Sequence, residues 1–222
     1  MSSRTVSEGS EDEARDEVVA AARAVAARGL SHGSTGNVSV RHGERIIVTP
    51  TRSSLSTVEA SELAVVDLDG RPLTDARPSK EAFLHAAVYR GRPTAGAVVH
   101  THSLHATAVS CLGGLDPDDA MAPLTAYYAM RVVALPLVDY FAPGDERLAD
   151  RAGEVARGDA CMLLRNHGPV VAADRALAAV DVAEEIEHMA RIVLLVGARE
   201  TSPLTQDERE RLYANNQRGE RT

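Results

Sequence analysis

The stretch AVVHTHSLHA, Ala97 to Ala106, gathers three of the chain's eight histidines into ten residues. It opens as an apolar run with β-branched residues and leads into SLHATAVSCLGG, which has the pattern of a short helix. This passage from strand to helix is one step of an alternation that, along the chain, reads as an α/β protein. Side chains at i and i+2 of a strand point to one face, so His100 and His102 can converge on a single ion. Helical spacing would separate them.

Working outward, PSKEAFLHAAVYRGRP predicts a helix with Ser79 as its N-cap and Glu81 in its first turn. ELAVVDLDG predicts a strand, and GSTGNVSVRHGERIIVTPT a tight loop followed by a hairpin about His42 and Gly43. The N-terminal SEGSEDEARDEVVAAARAVAARGL predicts a frayed acidic start and a helix that stops at Gly29. Downstream, VVALPLVDY reads as a strand, DERLADRAGEVARG as a helix, and ACMLLRNHGPVVAA as a strand broken at Gly168 and Pro169. In RALAAVDVAEEIEHMARIVLLV, the residues Val180, Ala183, Ile186, Met189 and Val193 recur at helical spacing. This alternation, taken alone, predicts a parallel sheet.

The bulk properties narrow the class. A chain of 222 residues suits one domain, and 3% aromatic residues with no Trp suit helices packed on a sheet better than a β-sandwich. The expected organisation is a disordered acidic segment over 1–12, one domain over 13–200 and a polar tail over 201–222. A formal charge of −8 disfavours nucleic acid as a partner, so an anionic ligand needs a local cluster of positive groups. No apolar run approaches the roughly 20 residues of a membrane span. Two cysteines, Cys111 and Cys161, and no secretory leader pattern predict a reduced cytoplasmic protein.

The chemistry of the pair can then be stated. About 0.3 His-x-His pairs are expected by chance in such a composition, so position matters more than the pair itself. Zinc takes three or four N, O or S ligands, and His167, at the end of LLRNHG, is the best third candidate. There Gly168 would let the backbone turn and Asn166 could orient the ring. Glu81 is the favoured carboxylate, since a helix start keeps it ionised. The competing reading makes these imidazoles satisfied core groups. His105 reads as a supporting or structural group, and His32, His42, His85 and His188 as loop or helix-face residues. Two loops could hold an anion. One is GSTGN, with Ser34, Thr35, Gly36 and Asn37; the other is TPTRSS with PSKE, bringing Thr51, Arg52, Ser53, Ser79 and Lys80 together.

STGNVSVR, IIVTPT, PSKE, AVVHTHS and NHG, in this order from roughly Ala20 to Val196, resemble the class II aldolase/adducin-head family typified by L-fuculose-phosphate aldolase. The resemblance implies a three-layer α/β/α fold with a mostly antiparallel sheet, overruling the parallel expectation. It implies a homotetramer with sites at subunit interfaces and one divalent ion per subunit, Zn2+ with Mn2+ or Co2+ as substitutes. Position by position, Glu81, His100, His102 and His167 match the metal set, Glu81 also the catalytic acid/base, while Gly36, Asn37, Thr51 and Ser79 match the phosphate loops. The family's aldolases usually read Thr-Gly and Ser-Ser where this chain has Thr51-Arg52 and Ser79-Lys80.

Within the family, SKEAFLHAAVYRGRP, PLTAYYAMRVVALPLVDYFAPGD and NHGPVV look most like the 3-oxo-tetronate 4-phosphate decarboxylases of four-carbon acid-sugar catabolism. That branch implies loss of carbon dioxide from a β-keto acid to leave dihydroxyacetone phosphate, with Lys80, Arg52, Tyr128 and Arg131 as further substrate contacts. The alternatives are a sugar-phosphate aldolase, a pentulose-phosphate 4-epimerase, and a non-catalytic adducin-like binding module. In the family a tyrosine of the C-terminal tail can reach a neighbour's site; Tyr213 reads instead as an exposed helix residue.

Overall fold

A computed structural model describes residues 10–142 and 144–219. Among them the chain forms α1 (Glu11–Ala27), β1 (Asn37–His42), β2 (Arg45–Val48), β3 (Ala64–Asp67), α2 (Ala82–Gly91), β4 (Ala97–His100) and α3 (Leu104–Ser110). There follow α4 (Ala126–Arg131), β5 (Leu137–Val138), α5 (Arg147–Ala156), β6 (Cys161–Leu164), β7 (Gly168–Ala173), α6 (Ala176–Val196) and α7 (Gln206–Gly219). The strands make one sheet in the order β3-β2-β1-β4-β7-β6-β5, antiparallel throughout except for β5 beside β6. The parallel sheet suggested by alternation is therefore wrong. Short turns join β1 to β2 and β6 to β7, and only a parallel pair requires a crossover.

Period-two burial divides the sheet between two cores. Val38, Val40, Ile47, Val65, Ala97, Val99, Leu163 and Val171 face α1 and α6, with Val180, Ala183, Ile186 and Met189 from the stripe read in the sequence. Ile46, Val48, Ala64, Val66, Val98, Met162, Leu164, Val170 and Ala172 face the layer of α2 and α5. The result is helix, sheet, helix, and it explains why β4 is apolar on both faces.

Several local expectations change. α1 starts at Glu11, inside the stretch read as disordered, because Ser10 forms a capping box with Glu13; residues 1–9 lie outside the described residues. Glu81, not Ser79, is the N-cap position of α2; Ser79 Oγ accepts instead from the Glu81 N–H at 3.2 Å. The strand break falls at Arg165–His167, so ACMLLRNHGPVVAA is a hairpin of two strands, with Asn166 at φ 56° making the turn. Gly168 serves close approach: a Cβ there would lie 2.2 Å from the Thr101 carbonyl oxygen. The segment read as a polar tail contains α7, which packs on α4 and carries Arg209, buried and 2.7 Å from Asp119.

Candidate metal centre

The site forms where β4 and the β6–β7 hairpin end beside α2. His100 is the last residue of β4 and fully buried; His102 lies two residues on, beyond the strand, and His167 closes the hairpin turn. Thr107 Oγ1 donates to the His167 carbonyl at 2.8 Å, and the His167 N–H reaches Ser110 Oγ at 3.2 Å, so α3 fixes the hairpin. His102 keeps its place through its N–H to Ser31 Oγ. Gly36 packs over this corner at φ 74°; a Cβ would meet Ser31 Oγ at 2.3 Å and the His100 carbonyl at 2.9 Å.

The three Nε2 atoms are mutually 3.0, 3.1 and 3.3 Å apart. Three nitrogens on a tetrahedral zinc ion at about 2.05 Å each lie about 3.3 Å apart, so the triangle fits such an ion. His100 Nδ1 is 2.9 Å from the Pro169 carbonyl, which can only accept. Nδ1 therefore carries the proton and Nε2 presents a lone pair to the centre. Glu81 completes the group, Oε1 3.2 Å from His167 Nε2 and Oε2 3.6 Å from His100 Nε2. All four ligand atoms lie within 4.8 Å of one another. The donor set and its spacing fit a divalent ion.

Electrostatics agree with that fit. Burial pushes the Glu81 carboxyl up, but His100, His167 and the Asn37 amide together bring it well below the ordinary carboxylate range, so it is ionised. Burial lowers His102 to about 3, and His100 also falls, keeping their rings neutral and able to coordinate.

The centre opens into a cleft of about 620 Å³ lined by Gly36, Asn37, Thr51, Arg52, Ser79, Lys80, Glu81, His102 and His167, along with Ser34 and Thr35. Arg52 and Lys80 stand at its exposed edge, where Arg77 joins them in an adjoining hollow. Two of the residues expected to contact substrate stand apart from the cleft of the single chain: Tyr128 is fully buried on the inner face of α4, and neither it nor Arg131 lines the cleft. Their place is taken by Tyr140 and Phe141, just beyond β5, which sequence pattern left unassigned because a single aromatic pair carries no periodic signal. His105 is not in the ligand group; its Nδ1 lies 2.7 Å from Glu187. His85, read as a helix-face residue, is fully buried.

The fold and the centre define a class. Residues 16–194 match the family described as Class II Aldolase and Adducin N-terminal domain, and the chain belongs to it. More particularly, it is 40% identical over 200 residues to the 3-oxo-tetronate 4-phosphate decarboxylase of Pectobacterium atrosepticum, covering 90% of this chain and 92% of that one. The crystal structure of YgbL from Klebsiella pneumoniae superposes with a TM-score of 0.87 at 39% identity, covering 92% of this chain and all of that one (100%). An L-fuculose 1-phosphate aldolase superposes with a TM-score of 0.84 at 25% identity, covering 96% and 100%.

Proposed function

We propose that this protein decarboxylates 3-oxo-tetronate 4-phosphate to dihydroxyacetone phosphate and carbon dioxide, using a divalent ion held by Glu81, His100, His102 and His167. The observation that carries the reading is the convergence of three imidazole nitrogens and an ionised carboxylate beneath a cleft edged by Arg52 and Lys80. A bound divalent ion supplies Lewis acidity towards the ketone and neighbouring hydroxyl oxygens, and zinc is our first choice. Asn37, Thr51 and Ser79 hold the phosphate. Lys80 and Arg52 neutralise the phosphate and the departing carboxylate, which a substrate with two anionic ends requires. The bond to the carboxylate carbon breaks and its electron pair stays on the carbon beside the ketone as part of an enediolate; Glu81, ionised at rest, takes up a proton from water and passes it to that carbon, returning to its ionised form. Water exclusion falls to Tyr140 and Phe141.

An aldolase reaches the same enediolate by releasing an aldehyde, and the likeness to L-fuculose 1-phosphate aldolase favours that as the second reading; an epimerase or a non-catalytic binding module would need the cleft for other ends. The deciding assay offers the metal-loaded protein 3-oxo-tetronate 4-phosphate made in situ, fuculose phosphate and ribulose phosphate. We expect carbon dioxide release to be at least about a hundredfold more efficient than sugar-phosphate cleavage, about 2.7 kcal/mol of transition-state discrimination. Comparable cleavage of either sugar phosphate would place the protein among the aldolases. Glu81→Gln should lose most turnover and weaken ion binding.

We further propose a cytoplasmic homotetramer with the cleft between subunits, and a domain that extends the expected 13–200 to take in Glu11 and α7. Leu104 (73% exposed), Tyr127 (70%) and Leu195 (68%) support an association surface. Sedimentation at four times the chain mass is expected; a monomer would refute it. Among the described residues no helix is long and apolar enough to cross a membrane.

A further inference from the structure

Behind Glu81 runs a buried file of polar groups of which only Asn37 lines the cleft. Asn37 Nδ2 donates to Glu81 Oε2 at 2.7 Å. On its other side, Asn37 Oδ1 lies 2.5 Å from His85 Nε2, while His85 Nδ1 lies 2.7 Å from Ser39 Oγ. Ser39 Oγ is in turn 2.9 Å from the Tyr89 hydroxyl, whose single proton also lies within reach of the Ser39 carbonyl oxygen at 3.1 Å. Ser39, His85 and Tyr89 are each 0% exposed, and Asn37 is 3% exposed. His85 and Tyr89 come from one face of α2, Asn37 and Ser39 from one face of β1.

We propose that His85 is a positioning residue for proton transfer by Glu81: it locks the Asn37 amide in the one orientation that presents N–H to the carboxylate. The inference rests on the role of Glu81 in the proposed function. Every link has a single workable polarity. An ionised carboxylate only accepts, so Asn37 must turn its nitrogen to Glu81 and its oxygen to His85. That oxygen only accepts, so His85 carries its proton on Nε2 and accepts at Nδ1 from the Ser39 hydroxyl. Ser39 Oγ then accepts from Tyr89. Turning the amide over would set Asn37 oxygen against the carboxylate and its nitrogen against the His85 N–H, two repulsions at once.

Fold stability alone gives little reason for this file. Replacing matched buried polar partners by apolar groups of similar shape is close to neutral, so three such residues in a core are not needed for packing. A file that terminates on the carboxylate expected to move the proton is what orientation requires. Asn37 also lines the cleft, so the residue that orients Glu81 borders the substrate side as well. One fixed amide thereby sets the carboxylate and the phosphate end of the substrate in a common frame.

The first test is nitrogen-15 NMR of the full-length, zinc-loaded protein labelled at histidine. Two-bond correlations at about pH 7 should report His85 as a neutral ring protonated at Nε2. A ring protonated at Nδ1 alone would overturn the proposal, because Asn37 would then have to present its oxygen to Glu81; a doubly protonated ring would overturn it too, because Nδ1 could no longer accept from Ser39. This measurement needs no substrate, so its outcome is separable from any failure of the decarboxylation assay.

The second test is kinetic. His85→Phe should lower kcat roughly 30-fold while KM and zinc stoichiometry stay within about threefold. His85→Gln, whose side-chain amide can donate near the position of Nε2, should recover most of that loss. In an Asn37→Ala background, His85→Phe should cost no more than about a further threefold, because the group it acts through is gone. Losses that multiply independently, or a glutamine variant no better than phenylalanine, would overturn the proposal. Should the phenylalanine variant fail to fold, the tautomer and the glutamine variant still decide.

Discussion

At the residue scale, the least comfortable backbone in the cleft belongs to Arg52, which holds φ at 62°. This left-handed conformation costs a non-glycine residue about 1–2 kcal/mol. Nothing in the turn demands a long side chain, so the strain is retained for the guanidinium at the cleft edge. Arg52→Gly should raise stability by about 1 kcal/mol, a melting shift of about 2–4 °C in a chain of this size, and raise KM for the phosphorylated acid several-fold. Calorimetry beside steady-state kinetics makes the comparison. A variant both less stable and kinetically unchanged would show that the arginine serves the turn. Gly168 is the opposite case, since the Thr101 carbonyl leaves no space for a methyl group.

At the element scale, α3 is pinned by one acid from α6. Glu187 accepts from the N–H groups of His105 at 2.9 Å and Ala106 at 2.8 Å, satisfying donors at the start of α3 that the helix itself leaves open. His102 lies two residues before α3, and Thr107 within it holds His167. Glu187→Ala should therefore cost about 1–2 kcal/mol in stability and weaken zinc binding, although the residue touches no ligand atom. Titration with a chelator competitor would measure it, and unaltered affinity would show that the loop after β4 holds the ligands unaided. The same element shows what sequence makes legible. Helices with a clear stripe, such as α6, and apolar strands such as β4 could be read by period, and His100, His102 and His167 by their place at strand ends. Sheet direction could not, because period-two burial on both faces is common to parallel and antiparallel strands; the antiparallel expectation came only from resemblance. His85 was misjudged because Ser39, 46 residues away, supplies its partner only after β1 packs on α2. The burial of Tyr128 was not legible either, because an aromatic residue in a short helix gives no sign of which side faces the core.

At the scale of the whole molecule, the buried imidazoles tie stability to pH and to the ion. Burial holds His85 at about 3 and, with its neighbours His100 and His167, lowers His102 to about 3; His100 is lowered by the same burial. In the unfolded chain these rings titrate near 6.5, so between about pH 6.5 and 3 the unfolded state binds more protons than the folded one. Stability then falls as pH falls, each fully titrating group contributing up to about 1.4 kcal/mol per pH unit. Glu81 adds to this at more acid pH, because its lowered pKa also leaves the unfolded state with the excess proton; Glu185, raised by burial, opposes it. An ion that binds the neutral rings of the folded chain competes with those protons. At about 100 times its Kd it adds about 2.7 kcal/mol. Urea melts of the metal-free protein should thus weaken steadily from about pH 7 to about pH 4, while zinc shifts the acid limb to lower pH. A metal-free stability that is flat over that interval would mean these rings are not held neutral, and would remove the electrostatic support for a centre that includes His100 and His102.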